Sequence, residues 1–376
     1  MRPVDVTELP PIEVRPRAAT VRHTMAAAGL DALLVSNLSD VRWMTGFGGS
    51  NGWVVLTSDT LTLVTDGRYG DQAVDQLTAT SAEGDVVVER TIGEIRSRLV
   101  QLTAGHTSIA AQAQHLSHAE WSALEDEIAL QPEPNLLRTA RRRKDAAELA
   151  RMQRAAEIAE TALADVAPML TDEPTEADVR DELEYRMRRC GADGPSYDTI
   201  VGSGPEQSAR PHHRPNRRRI VEGDNVVIDV GALVDGYHSD MTRTFVIGDP
   251  SPEQQHRYEA VLAAQLAGLA AVRAGASSVA VDGACRSLLD ERGLGDWFVH
   301  GTGHGVGLDI HEDPFLRWID DTELAEGEVV TVEPGVYREG SGGVRIEDLV
   351  TITADGHRSL TAFPKDSPCL PSRPTT

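Results

Sequence analysis

Cysteine is scarce in this chain. Only three occur in 376 residues, Cys190, Cys285 and Cys369, far apart and odd in number. They make neither a disulfide framework nor a CxxC metal site, so a reducing, cytoplasmic setting is expected. Positive charge is also short: 36 Lys and Arg stand against 59 Asp and Glu, a net charge of −23. Such a surface is unsuited to nucleic acid or an anionic membrane as the main partner. Long apolar runs are missing too. The most apolar helical stretch, residues 261–272, is interrupted by Gln265 and is too short to span a bilayer. The opening MRPVDVTELPPIEV carries acids and prolines where a secretory signal needs an apolar core. There is no internal repeat or low-complexity tract. What remains is an ordinary globular composition, 40% hydrophobic and 25% charged, in a chain long enough for two domains.

Taken in order, residues 17–28 read as a helix closed by Gly29, and residues 31–35 (DALLV) as a buried strand. Residues 36–52 are loop-rich and hold Trp43 and Phe47, which either pack their own loop or reach a neighbouring copy's site in a dimer. Two strands around a Ser58–Asp59 turn suggest a hairpin. Shorter strands and helices follow, ending in a helix from Ser117, a candidate cap with Glu120 three residues on. This alternation is that of an α/β domain. Pro132, Pro134 and the basic stretch RTARRRK mark a boundary near residues 135–142. Beyond it, two helix pairs alternate with strand segments, an α+β pattern. The first of these pairs ends in a helix from Thr175 to Cys190, with acids in its first turn and arginines in its last. The expected domains are 12–137 and 138–366, with 367–376 a disordered tail.

Three stretches carry chemistry. VHGTGHGVGLDIHE places His300, His304 and His311 on a glycine-rich backbone that cannot be a helix interior, which suits a chain passing close to something. In NVVIDVGALVDGYHSDMTRTFVIG, Asp229 and Asp240 sit about equally far from a turn centred near Val234 and Asp235, so they face each other across a hairpin. Two carboxylates about 4 Å apart repel by roughly 4 kcal/mol at an effective dielectric near 20, so a proton or a cation must intervene. In TVEPGVYREGSGGVRIEDLV, Glu333 and Glu347 again interrupt apolar strands. Four acids and at least one imidazole in apolar surroundings suit Mn²⁺, Fe²⁺, Co²⁺ or Zn²⁺ in a two-metal site better than a structural zinc site. GTGHGVG is neither a phosphate loop nor a helical zinc-protease motif. The arginines at 210, 214 and 217–219 read as a solvated loop balancing nearby acid.

The order Asp229, Asp240, His304, Glu333, Glu347, with the strings GYHSDMTRTF, GTGHGVGLDIHE, TVEPGVY and GGVRIED, resembles the pita-bread metallopeptidases: methionine aminopeptidase, aminopeptidase P and prolidase. NLSDVRWMTGFGGSNG and TDGRY are similar to the first domain of the aminopeptidase P, prolidase and creatinase branch. Creatinase shares the fold without the metal ligands, and methionine aminopeptidase lacks such a first domain. The resemblance implies a creatinase/prolidase-like N-terminal domain and a pita-bread catalytic domain. It implies two divalent metal ions, Mn²⁺ foremost, with Co²⁺, Fe²⁺ or Zn²⁺ as alternatives. Asp229 would hold one metal, His304 and Glu333 the other, and Asp240 and Glu347 would bridge them. A metal-bridging hydroxide would attack the scissile carbonyl while Glu333 shuttles its proton. His212, in a PH motif, His300 and His311 would contact substrate and stabilise the tetrahedral intermediate, with His213 the weaker candidate for the first role. Tyr337 matches a substrate-binding position, and Arg345 a supporting or substrate-orienting one. The expected substrates are small peptides with proline second, cleaved as an Xaa-Pro aminopeptidase or dipeptidase, by a homodimer. The rivals are a lyase or C–N hydrolase on the same fold, and a catalytically silent binding protein.

Overall fold

The computed structural model describes residues 8–370. Among the described residues the chain divides into two compact units, 11–141 and a second made of 8–10 with 142–370.

The first unit is built on one six-stranded sheet in the order β4-β3-β2-β1-β5-β6. Its strands are β1 (Ala32–Val35), β2 (Gly52–Thr57), β3 (Leu61–Asp66), β4 (Asp85–Glu89), β5 (Ile109–Ala111) and β6 (Leu130–Pro132). β1 lies between antiparallel β2 and parallel β5. All four of its residues, ALLV, are buried, because a central strand covered on both faces has no side for polar residues. Six helices accompany the sheet: α1 (Arg15–Ala27), α2 (Leu38–Thr45), α3 (Gly70–Ala79), α4 (Ile92–Leu102), α5 (His118–Glu125) and α6 (Leu136–Arg141). The segment expected to be a loop thus holds a helix, α2. The Asn37 side chain accepts from Ser39 N and Asp40 N at its start, and Gly46 closes it in the left-handed region at φ 76°. Trp43 and Phe47 are buried within this unit. Ser117 and Glu120 form the expected capping box, but α5 stops at Glu125 before the chain enters β6.

The second unit pairs helices over sheets twice. α7 (Ala146–Val166) and α8 (Glu176–Arg189) share an apolar core with the antiparallel sheet β12-β9-β8, formed by β8 (Ile200–Ser203), β9 (Asn225–Asp229) and β12 (Thr242–Val246). A short helix α9 (Gly204–Gln207) follows β8. α10 (Pro252–Ala271) and α11 (Ser278–Glu291) do the same for a five-stranded sheet, β14-β13-β15-β18-β19. Its strands are β13 (Gly303–Gly305), β14 (Glu312–Leu316), β15 (Val329–Val332), β18 (Asp348–Ile352) and β19 (His357–Ser359). Two smaller sheets complete the unit: β7 (Gly194–Pro195) with β10 (Ala232–Val234) and β11 (Tyr237–His238), and the ribbon β16 (Gly335–Arg338) with β17 (Gly342–Arg345). Asp145, Thr175 and Ser251 start α7, α8 and α10 with capping boxes, each satisfying backbone N–H groups that have no partner inside the helix. Among the described residues no helix is long and apolar enough to cross a membrane.

The expected hairpin has a different register. β9 pairs with β12 so that Asp229 lies opposite Thr242, not Asp240. The turn falls at Asp235 and Gly236, at φ 48° and 77°, one residue beyond the expected centre. Asp-Gly is the pair that supplies two consecutive left-handed residues, and that signal fixes the register. Because side chains alternate with period two, the two-residue offset keeps Asp240 on the same face as Asp229. The tail expected to be disordered is ordered through residue 370. Val246 N donates to Pro368 O at 2.8 Å, Cys369 bridges to Val246, and Leu370 packs on the core. An edge strand with free backbone groups invites such cover. Residues 371–376 of that tail lie outside the described residues.

Candidate metal centre

Five carboxyl and imidazole side chains reach one cavity from strand ends and the segments beside them. Asp229 ends β9, Asp240 precedes β12, His304 sits in the middle of β13, Glu333 follows β15, and Glu347 lies between β17 and β18. The apolar strands bury their own faces in two cores, so the polar residues at their ends are left to face the space where the strands stop. The two sheets are stitched there: Glu347 N donates to Thr242 O at 3.2 Å, and Arg345 N donates to Thr244 Oγ1 at 3.0 Å. Gly303 is required by this crowding, since a Cβ on it would stand 2.0 Å from the Thr331 carbonyl oxygen. The cavity has a volume of about 410 Å³ and takes in His212, His300, His311 and Arg345 besides the five.

The protonation states are readable from the hydrogen bonds. His304 Nδ1 lies 3.0 Å from Gly305 O, and a carbonyl only accepts, so Nδ1 carries the hydrogen. Nε2 is then a bare lone pair. It faces Glu333 Oε1 at 3.4 Å and Asp240 Oδ2 at 3.6 Å. Burial, and then the neighbouring His311, hold the His304 pKa down to about 3, which keeps the ring neutral. One ligand atom each of Asp240, His304 and Glu347 lies within 4.8 Å of the others. A bare lone pair gathered with crowded carboxyl oxygens, which only protons or a cation can reconcile, is what a metal needs. The carboxyls report the same strain. Burial raises Asp240 and Glu347 well above the ordinary range, with repulsion by neighbouring acids next, and burial lifts Glu333 to about 7. The residues therefore fit divalent cations.

Around this floor, Arg345 spreads its guanidinium over several acceptors. Nη2 donates to Asp229 Oδ2 at 2.7 Å, Nη1 to the Tyr337 hydroxyl at 2.7 Å and to Pro211 O at 2.9 Å, and Nε to Thr242 Oγ1 at 2.9 Å. Tyr337 passes its own hydrogen to His300 Nε2 at 3.0 Å, while His300 Nδ1 bonds Gly301 O at 2.8 Å. Both nitrogens of His300 are thus engaged, and burial, followed by Arg345, lowers its pKa to about 4. His311 has its ring 4.3 Å from that of His304. His213 is buried away from the cavity, against Glu176. The arginines at 210, 214 and 217–219 do not line it.

Tyr197 was not foreseen. Its hydroxyl lies 2.5 Å from both Asp229 Oδ1 and Asp240 Oδ1, and burial, with those two charges, raises its pKa well above 10. It therefore stays protonated between the two acids. The only signal for it was indirect: opposed carboxylates need a donor, and Tyr197 is the hydroxyl aromatic on the preceding segment. Phe315 and Arg317, at the end of β14, also line the cavity and were not anticipated.

Residues 150–354 match the model of metallopeptidase family M24, and residues 17–142 that of the creatinase/prolidase N-terminal domain. An uncharacterized peptidase of Bacillus subtilis is 35% identical over 348 residues, covering 92% of this chain and 98% of its own. A protein named Xaa-Pro dipeptidase from Pyrococcus horikoshii is 33% identical, covering 88% of this chain and 93% of its own. Among solved structures, an Xaa-Pro dipeptidase from Bacillus anthracis superposes with a TM-score of 0.89 at 35% identity, over 93% of this chain and 98% of that one.

Proposed function

The chain belongs to metallopeptidase family M24, and on that premise we propose that it is a dinuclear-metal exopeptidase that cleaves the bond between an N-terminal residue and proline. The observation that carries this reading is the bare Nε2 of His304 facing the oxygens of Glu333 and Asp240, with Glu347 alongside. The names of similar proteins from Pyrococcus horikoshii and Bacillus anthracis support the substrate class. Asp229, Asp240, His304, Glu333 and Glu347 would hold two divalent cations, Mn²⁺ foremost. When bound, such cations supply a water acidic enough to attack near neutral pH.

The chain's own residues do the rest. Glu333 lines the cavity beside His304, where its carboxylate takes the proton of the attacking water and returns it to the departing proline nitrogen. Arg345 fixes the Asp229 carboxylate and the Tyr337 hydroxyl, and His300 holds that hydroxyl from its other side. His311 and His212 present imidazoles toward the cavity, suited to the oxyanion that forms on the carbonyl. At the rim, the Arg317 guanidinium lies over the Phe315 ring at 5.2 Å and pairs with Asp320 at 2.6 Å, leaving its remaining N–H groups to meet a substrate carboxylate. A cavity of about 410 Å³ suits a short peptide, not a folded chain. The three free cysteines fit work in the cytoplasm, and the active form we infer is a homodimer.

The test is hydrolysis of Xaa-Pro and Xaa-Pro-Xaa peptides by protein stripped with EDTA and reloaded with single metals. Metal-dependent release of the first residue is expected, and the ratio of the two substrates separates dipeptidase from aminopeptidase. Absence of bound Mn, Co, Fe or Zn together with no such cleavage would overturn the reading. Bound metal without peptide cleavage would favour a lyase or C–N hydrolase.

A further inference from the structure

The ring of His212 stands exposed at the cavity and makes no hydrogen bond to a described residue, yet the backbone on either side of it is pinned. On one side, Pro211 O accepts from Arg345 at 2.9 Å. On the other, His213 turns inward, 6% exposed, and its Nε2 lies 2.9 Å from Glu176 Oε2. Glu176 is fully buried in the first turn of α8, where the helix N-terminus favours a carboxylate. Its oxygens serve four donors. Oε1 accepts from Ser203 N at 2.8 Å and Ser203 Oγ at 2.7 Å, and Oε2 from His213 and from Asn216 N at 3.1 Å. One carboxylate therefore gathers both ends of the stretch that runs from β8 to residue 216. Backbone bonds join the same place, Ala177 N to Asn216 O at 2.9 Å and Glu176 N to Arg218 O at 3.1 Å.

We propose that the Glu176–His213 pair is a positioning device for His212. Neither residue lines the cavity, so neither touches the substrate. The chain bends at Pro211 and His212, and exposure alternates from there, with His212 exposed, His213 buried, Arg214 exposed and Pro215 buried. Locking the His213 ring inward therefore directs the neighbouring His212 ring outward over the cavity. Arg345 sets the other end of the same short span. A ring carried on an exposed loop is otherwise free to leave the rim, and misplacement by about 1 Å costs on the order of a hundredfold in rate. Glu176 reads from sequence as a helix-dipole acid, yet its buried carboxylate is spent on the loop. The proposal rests on the peptidase reading only in that His212 acts on substrate.

The test is a double-mutant comparison on the full-length Mn²⁺-loaded protein with Ala-Pro as substrate. His213→Ala should lower kcat/KM about ten- to a hundredfold in the wild-type background. In the His212→Ala background it should lower it less than about twofold, because a residue acting only through His212 has nothing left to act on. His213→Gln, whose amide N–H can replace the Nε2 donor, should recover activity to within about threefold. Hydrogen exchange at the Asn216 amide, which shares Glu176 Oε2 with His213, should speed about tenfold in His213→Ala and stay slow in His213→Gln. Equal losses in both backgrounds, or unchanged exchange, would overturn the proposal. If His213→Ala does not fold, Glu176→Gln carries the same comparison, since an amide keeps one acceptor oxygen of two. A wild-type protein that leaves Ala-Pro intact would end the peptidase reading, while the exchange measurement still decides the positioning.

Discussion

Removing the cations should turn the site into a proton store, and the size of that store can be worked from the structure. Asp240, Glu347 and Glu333 are all raised, by burial first in each case, Glu333 to about 7. His304, lowered to about 3 by burial and then by His311, is neutral at any pH of interest and gives up nothing when it binds a cation. An incoming metal must therefore displace protons from carboxyls. At pH 6 a group titrating near 7 holds roughly nine-tenths of a proton, so with Asp240 and Glu347 the cluster should release between about one and three. These protons belong to the cluster as a whole, because its members repel one another. Each displaced proton should tighten the apparent Kd about tenfold per pH unit, or about 1.4 kcal/mol.

The sign for stability follows from the same shifts. A carboxyl raised by folding favours the folded state below its ordinary value and loses that advantage as pH rises through the folded one. For Glu333 the window runs from 4.5 to about 7 and is worth at most about 3 kcal/mol. His300 and His304, lowered by folding, act oppositely, and their contribution is complete above 6.5. The metal-free protein should then lose stability most steeply with rising pH above about 6.5, where the histidines no longer offset the carboxyls that are still letting go. Calorimetric titration of EDTA-stripped protein with Mn²⁺ at pH 6, 7 and 8, in two buffers of different ionisation enthalpy, counts the protons. Release of fewer than about half a proton at pH 6, or a Kd unchanged from pH 6 to 8, would refute this account of the site.

Three further outcomes are expected. His304→Ala should lose bound metal by elemental analysis, whereas His300→Ala and His311→Ala should keep it and lose about a hundredfold in turnover. Gly303→Ala should lower the thermal midpoint by an amount equivalent to about 1–3 kcal/mol, because its Cβ would meet a backbone carbonyl that cannot swing aside. Arg243→Met should cost about 3–5 kcal/mol in urea unfolding, since Arg243 is 1% exposed and donates to Asp348 and to the Phe363 carbonyl.

How far the sequence reveals this molecule depends on whether a residue is odd where it stands. Asp229, Glu333 and Glu347 interrupt apolar strands, and a buried acid needs an explanation, so the floor of the site was legible before any coordinates. Tyr197 was not, because a tyrosine at a strand's approach is unremarkable until the two carboxylates it bridges are brought to it. The hairpin register was present in Asp235–Gly236, where a turn displaced by one residue moved every partner. Helix α2 was hidden by the glycines around it, although Asn37 supplied a cap. Glu176 was read correctly as a first-turn acid, but its four donors come mostly from residues far along the chain, and no local pattern announces them.

The five side chains at the cavity floor are drawn from two sheets whose strands are far apart in the chain, with Glu347 the last to be reached. Pairings of that kind form late, after local turns and helices have settled. The site is therefore among the last things the folding chain completes, and a cation captured there clasps elements that have no reason to meet earlier. Once bound, it ties the two sheets together, so its loss should leave them freer to part. Amide exchange where the sheets meet, compared with and without metal, would measure that restraint without a substrate and without any chemistry.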